Sequence, residues 1–400
     1  MNPSPAPTLD VAALRADTPG CAERNHLNNA GAALMPAPVL EAVKAHLDLE
    51  ARIGGYEAAA AVRDEVERAR ADVGRLIGAP AANVAFTEHA TASFVQALSS
   101  VPFRTGDVLV TTRNDYVSNQ IQYLSLQQRM GVEVVRVPDA PEGGVDVMAL
   151  EEAVHRRRPR LVAVTHVPTS SGLVQDVEAV GEVCRRKETL YLVDACQSVG
   201  QMPLDVETMG CDFLSATARK FLRGPRGAGF LYVSDRALDA GLEPLFPDLR
   251  GADWLAADLY QPAPDATRFE TWEFAYALLL GTGAAARYAL DTGLEAIRDR
   301  TRALAARLRE GLAGLDGVRV LDRGPELCAI VTAQVEGWEP GPLVRALRER
   351  GINTSSLTRL AAVLDFEEKE VEGALRASPH AYNTEDEVDA LVSAVRDLLR

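Results

Sequence analysis

The sequence predicts a two-domain α/β protein, with a large domain on a mostly parallel seven-stranded sheet followed by a smaller C-terminal α+β domain. Three observations lead there. A length of 400 residues accommodates two to three domains at about 150 residues each. Between Asn83 and Val233, short β-rich runs alternate with helical patterns, the mark of βαβ units around a buried sheet. A proline-punctuated stretch, Gln261 to Thr267, then separates this region from a helix-rich remainder. The resulting partition is an N-terminal extension 1–25, a large domain 26–265, and a small domain 266–400 to which the N-terminal segment contributes.

The elements follow in order. After a helical run from Val39 to Leu49, strands are expected at Val84–Phe86, Val108–Val110, Val132–Val137, Leu161–Val164, Leu190–Val193, Phe213–Leu214 and Phe230–Val233. Helices are expected at Val117–Met130, Val147–His155 and Val177–Lys187. Beyond the boundary, helical patterns cover Glu273–Leu290, Thr301–Leu312 and Glu385–Leu399, with strands near Val318–Leu321 and Ala329–Ala333. Ligands of such sheets bind beyond the carboxyl ends of the strands, so the loops after each strand are where chemistry is sought.

Composition narrows the function classes. Hydrophobic residues at 47% and charged residues at 25% describe a folded globular chain. A net charge of −15 repels polyanions, which argues against nucleic acid or an anionic membrane as partner. Five cysteines without a CxxC pair argue against a disulfide framework or structural zinc, and point to a reducing, cytoplasmic setting. Met1 to Gly20 lacks the pattern of a secretory signal, and no later segment approaches the roughly 18 apolar residues of a membrane helix. The six histidines show no metal-binding spacing, so no metal is expected. The basic run Arg156 to Arg160 reads as a solvated turn.

Lysine usage is more telling. Only Lys44, Lys187, Lys220 and Lys369 occur among 42 basic residues, so a retained lysine is a candidate for a role that needs an amine. Lys44, Lys187 and Lys369 sit in stretches that read as solvated faces; Lys220 ends a strand-like run. Asp194 ends the apolar strand Leu190–Val193, where a carboxylate is costly unless something positive meets it. An acid and a lone lysine brought to one sheet edge match the needs of pyridoxal phosphate: a counter-ion for the ring nitrogen and a Schiff-base amine. The phosphate needs N–H donors at a helix start and hydroxyls. The loop Thr87 to Ser93, with Ala90 and Thr91, follows a strand and opens a helix, and Thr217 adds a hydroxyl.

The ordered motifs Val193-Asp194-Ala195-Cys196-Gln197-Ser198-Val199-Gly200, Ser215-Ala216-Thr217-Ala218-Arg219-Lys220 and Gly224-Pro225-Arg226-Gly227-Ala228-Gly229 resemble the class V aminotransferase and cysteine desulfurase group of fold type I pyridoxal phosphate enzymes. Leu27 to Gly31 and Arg376 to Thr384 extend the likeness over roughly residues 26–400. The resemblance implies that Lys220 carries the cofactor, Asp194 pairs with its ring nitrogen, and Gln197 approaches the ring hydroxyl. It also implies that Tyr116 stacks on the ring where desulfurases use histidine, that Arg376 grips the substrate carboxylate, and that the loop holding Asn29 lies on the substrate side. A homodimer is implied, with the segment Arg268 to Glu273 completing the phosphate site of the second subunit.

The departures from the pattern carry as much weight. No cysteine occurs between Ile352 and Arg376, where desulfurases keep their nucleophile; Cys328 and Cys196 read as packing residues. Arg219 replaces a histidine before the lysine, and Thr169 is expected to take over a hydrogen bond to the ring oxygen. His166 is either an acid–base or a supporting donor, with support favoured. Arg359, Arg223, Trp272 and Glu273 are candidates for holding the substrate side chain. Four outcomes compete on an amino acid substrate: β-elimination, transamination, epimerisation and desulfuration. The Arg219–Lys220 pair, the run Ile53 to Ala58 and the absent cysteine favour the branch with isopenicillin N epimerase-like proteins and carbon–sulfur lyases, and within it the lyase. A non-catalytic binding protein on this fold would require damage to the lysine, acid or clamp, and none is visible.

Overall fold

The computed structural model describes residues 9–400; of the N-terminal extension, residues 1–8 lie outside the described residues. The central sheet has seven strands in the order Val84–Thr87, Gly229–Val233, Phe213–Thr217, Leu190–Asp194, Leu161–Thr165, Val108–Thr112 and Glu133–Val137. All run parallel except Gly229–Val233, which is antiparallel to both neighbours. Every expected strand of this sheet is present, within one or two residues of its expected limits or with a few residues added.

The near-continuous apolar runs follow from burial on both faces. Val110, Val162, Val164, Val193 and Leu214 pack on one side. Leu109, Leu161, Ala163, Leu192 and Phe213 pack on the other. Alternate residues of a strand point to opposite faces, so a sheet covered on both sides requires apolar residues at nearly every position. Crossover helices Val117–Met130, Val147–Arg157 and Val177–Arg186 supply the cover, the last two starting at aspartate caps, Asp146 and Asp176.

A second sheet, fully antiparallel, orders Val318–Val320, Val331–Val335, Gly373–Ala377 and Ser355–Thr358. The N-terminal strand Asn25–His26 pairs with Ile352–Asn353 beside it, and Asn28 bridges to Ser378. Helix Leu294–Ala313 begins earlier than the pattern from Thr301 suggests, because Gly293, at φ 90°, turns the chain out of helix Tyr276–Thr292. That preceding helix packs on Ala37–Ile53 and Arg63–Leu76. Among the described residues no helix is long and apolar enough to cross a membrane, and no group of three or more His, Cys, Asp or Glu side chains is placed to hold a metal.

One expectation is corrected here. Lys44 and Lys187 are exposed, but Lys369 is buried, its Nζ 2.7 Å from Asp365 Oδ1 one turn earlier. The neighbouring glutamates, which made the stretch look solvated, include Glu368, which faces Arg113 at 3.5 Å.

Behind the strand Val84–Thr87 lies a buried ionic knot. Glu270, fully buried, accepts from Arg70 at 2.6 Å, Arg250 at 2.9 Å and the Phe86 N–H at 2.8 Å. Removing one member of such a group strands the remaining charges in a poor dielectric. Glu270→Ala is therefore expected to lower unfolding stability by about 3–5 kcal/mol in denaturant titration; a loss below about 1 kcal/mol would show that the arginines find other partners.

Candidate active site

The carboxyl ends of the parallel strands set out the site. The register places Thr165 beside Asp194, and Asp194 beside Ser215, at the ends of three adjacent strands. Beyond them opens a cavity of about 340 Å³. Its walls include Ala90, Thr91, Tyr116, Thr169, Asp194, Gln197, Thr217 and Lys220, so eight residues selected from separate motifs converge on one space.

Asp194 is buried with both oxygens engaged: Oδ1 accepts from the Cys196 N–H at 3.0 Å and Oδ2 from Asn119 Nδ2 at 3.0 Å. Lys220 is also buried, and burial is the largest influence on its amine, lowering its affinity for a proton against the opposing pull of Cys196 and Asp194. Its Nζ lies 5.9 Å from the Tyr116 ring centroid. The loop Asp194–Gly200 lies flat on Phe221 and Leu222 because Gly200 has φ 80° and no Cβ; one added there would meet the Leu222 backbone at 2.5 Å.

At the other end, helix Ala90–Ser100 starts at the cavity. His89 caps it, Nδ1 accepting from the Ala92 N–H at 3.0 Å, which leaves the first N–H groups, those of Ala90 and Thr91, without an intrahelical acceptor. Gly229 permits this approach, since a Cβ there would stand 2.9 Å from the Ala90 nitrogen. Thr217, Arg226 and Gly227 complete that wall.

Arg376 stands behind Thr169. Its Nη1 donates to Thr169 Oγ1 at 2.6 Å and to the Thr169 carbonyl at 3.2 Å, and Nη2 to Asn28 Oδ1 at 3.3 Å. Nε has no partner, and no carboxylate pairs with the guanidinium among the described residues. Burial, with Arg219 nearby, lowers its pKa to about 10. A buried guanidinium lacking an anion is suited to receive a carboxylate. Thr169 Oγ1 accepts a second hydrogen bond from Gln197 Nε2 at 3.1 Å, so its own hydrogen remains free to donate.

Several expectations are relocated. Asn29 is fully buried and bonded to Ser378 O at 2.7 Å and to the Tyr382 hydroxyl; Asn28, not Asn29, reaches the clamp. His166 faces away, lining a separate cleft with Gln175, Arg298 and Arg302, because it follows Thr165 in an extended chain and points to the opposite side. Burial lowers its pKa to about 4, and its link to the site is the backbone N–H, 2.9 Å from the Asp194 carbonyl. Arg223, Arg359, Trp272 and Glu273 do not line the cavity, and neither does Arg376, which is bonded to the lining residue Thr169. Arg223 is buried over the Tyr382 ring and donates to Leu34 O at 3.0 Å, and Arg359 pairs with Glu367. Arg268 is spent within its own subunit on the carbonyls of Ala263, Leu238 and Leu242. Cys328 is buried in the core.

Sequence reasoning missed Asp115, Asn119 and Arg226. Asp115 and Asn119 flank Tyr116 at a spacing of four on a helix start, a pattern that also describes an ordinary cap, and Arg226 lay in a motif read only for its glycines.

Pyridoxal phosphate fits this donor set. Asp194 has no cation bonded to it among the described residues, and the Gln197 Oε1 is buried without a partner. Helix-start N–H groups and hydroxyls stand at one end for a phosphate, and an amine lies within the same walls.

Comparison with known proteins bears on this fit. The family described as aminotransferase class-V matches residues 25–391. A probable cysteine desulfurase of Methanothermobacter thermautotrophicus is 29% identical over 96% of this chain and 97% of its own length. A probable hercynylcysteine sulfoxide lyase of Mycobacterium tuberculosis is 31% identical over 92% of this chain and 89% of its own. The apo structure of a cysteine desulfurase from Thermococcus onnurineus matches with a TM-score of 0.90 at 26% identity, covering 99% of both chains.

Lys220→Ala is expected to abolish the visible absorption band that pyridoxal phosphate gives the purified protein while leaving far-ultraviolet circular dichroism unchanged. Persistence of the band would remove Lys220 as the anchor.

Proposed function

The chain belongs to the class V aminotransferase family and is a pyridoxal phosphate-dependent enzyme, and from that premise we propose that it is a carbon–sulfur lyase. Its substrate in this reading is an S-substituted cysteine or its sulfoxide. β-Elimination removes the α-proton and breaks the Cβ–S bond, the electron pair leaving with sulfur as a thiolate or sulfenate. Water converts the released aminoacrylate to pyruvate and ammonia, with no oxidant or reductant.

The observation that carries this reading is the missing thiol. Desulfuration needs a nucleophilic cysteine near the substrate, yet the segment between Ile352 and Arg376 has none; it folds as a short turn, Arg359–Ala361, and a helix, Val363–Glu368, closed by the Lys369–Asp365 pair. Cys196 does line the cavity, but burial and then the Asp194 charge push its thiol up, which works against a reactive thiolate.

When bound, the cofactor supplies an electron sink for the charge that develops at the substrate α-carbon. The chain's own residues do the rest. Ala90, Thr91 and Thr217 would hold the phosphate, Asp194 would hold the ring nitrogen, and Tyr116 would lie against the ring. Gln197 and Thr169 address the ring oxygen, and Arg376, oriented by Thr169 and Asn28, takes the substrate carboxylate. Lys220, whose burial favours the neutral amine, accepts the α-proton. Arg219 and Arg226 add positive charge to the walls, which suits an anionic leaving group.

Desulfuration is the second reading, supported by the relatives that are described as cysteine desulfurases. A homodimer is part of the proposal. Phe246 and Trp254 are 82% and 81% exposed, on a stretch that also presents Leu245, Leu249 and Trp272, and a second copy would cover them. We place the enzyme in the cytoplasm on the strength of its five free thiols.

The purified holoenzyme is expected to release pyruvate and ammonia from S-substituted cysteine sulfoxides without a keto acid acceptor. Alanine and sulfane sulfur from L-cysteine, the sulfur detected as sulfide once an added thiol reduces it, would establish the desulfurase instead, and turnover only with an acceptor would establish the aminotransferase. Arg376→Gln is expected to raise KM by about 10–100-fold, the worth of a charge-assisted hydrogen bond; an unchanged KM would place the carboxylate elsewhere.

A further inference from the structure

Next to Tyr116, and bonded to its backbone N–H, the structure holds a second buried carboxylate. Asp115 is 7% exposed and has no lysine or arginine bonded to it among the described residues. Five donors surround it instead. Oδ1 faces the Tyr116 N–H at 2.6 Å, Asn119 Nδ2 at 3.0 Å and Thr165 Oγ1 at 2.5 Å. Oδ2 faces Gln120 Nε2 at 2.9 Å and Thr111 Oγ1 at 3.2 Å. The Gln120 amide is itself oriented by Arg136, whose Nε donates to Gln120 Oε1 at 2.7 Å. This surround suits an ionised carboxylate, which accepts at every lone pair. Burial and the nearby Asp194 charge pull the other way, raising the Asp115 carboxyl, with the threonine and amide donors opposing them.

Asn119 joins the two acids. Its Nδ2 donates to Asp115 Oδ1 at 3.0 Å and to Asp194 Oδ2 at 3.0 Å, and it is 2% exposed. An asparagine amide ordinarily has two orientations related by a flip. Here the flipped form would set its carbonyl oxygen against two carboxylates at once, so the N–H groups are locked toward both. Asp194 then keeps a permanent donor on Oδ2 that a solitary Asn119 would not guarantee.

We propose that Asp115 is a positioning residue for the reaction. By locking the Asn119 amide it keeps an N–H donor on Asp194 Oδ2 and so fixes the position of the carboxylate that is to hold the proton on the cofactor ring nitrogen. The same carboxylate fixes the start of helix Val117–Met130 through the Tyr116 N–H, tying the ring-covering tyrosine to the same lock. The proposal rests on Asp194 as the partner of the ring nitrogen. It extends that assignment to a pair one hydrogen bond removed.

The test is the 15N resonance of the ring nitrogen in protein reconstituted with 15N-labelled pyridoxal phosphate, followed across pH. Asp194→Asn, as reference, is expected to move the resonance to the unprotonated position; if it does not, the assignment of Asp194 fails and the proposal fails with it. Given that response, Asp115→Asn is expected to lower the midpoint of ring titration by about one unit or more and to weaken cofactor retention by about tenfold. Asn119→Ala, which spares both carboxylates, is expected to shift it in the same direction. The double variant is expected to shift it by less than the sum of the singles, as for residues acting in series. An unchanged resonance in Asp115→Asn, or additive shifts, would overturn the proposal while leaving Asp194 in place. Thermal unfolding of the apo variants separates loss of fold from loss of the lock, and Asn119→Ala carries the test should Asp115→Asn fail to fold.

Discussion

A negative charge at the inner end of a buried strand needs a positive partner, and Asp194 has none among the side chains bonded to it. Its oxygens meet only N–H dipoles, from Cys196 and Asn119. These neutral donors stabilise the carboxylate without cancelling its charge, which leaves it able to hold the protonated ring of a cofactor. The geometry around it follows from that need. The parallel strands bring Thr165 and Ser215 alongside, the loop through Gly200 stays low enough for Gln197 to reach the cavity, and Lys220 enters from the next strand with its amine held away from water.

The same logic divides the cavity into ends of distinct chemistry. Where helix Ala90–Ser100 begins, free N–H groups and hydroxyls suit a phosphate. Toward Asn28 and Thr169, a buried Arg376 with an idle Nε suits a carboxylate. Between them lie the Tyr116 ring and the Lys220 amine. A local excess of positive charge thus sits in a chain of net charge −15, which argues that the cavity is built for small anions carried by its ligands rather than for a polyanion.

Much of this was legible in the sequence because burial on both faces writes itself as apolar runs, and because lysine is rare enough here for Lys220 to stand out. The strand ends carrying Asp194 and Thr217 could be placed from those runs alone. What escaped was side-chain direction over one residue. Asn28 and Asn29 are adjacent and identical, yet only the first reaches Arg376, because the second is turned into contacts with Ser378 and Tyr382. His166 follows Thr165 and therefore faces the opposite cleft. Lys369 was misjudged from its glutamate neighbours, since composition does not reveal that Asp365, one helical turn back, is buried with it. Asp115 and Asn119 resemble a helix cap until the fold brings Asp194 against them.

The central claim is a covalent bond between one named amine and the cofactor, and reductive trapping tests it most directly. Protein reconstituted with pyridoxal phosphate, treated with borohydride, digested and mapped by mass spectrometry is expected to carry the pyridoxyl group on the peptide containing Lys220. A label confined to Lys44, Lys187 or Lys369, or no label at all, would contradict the account.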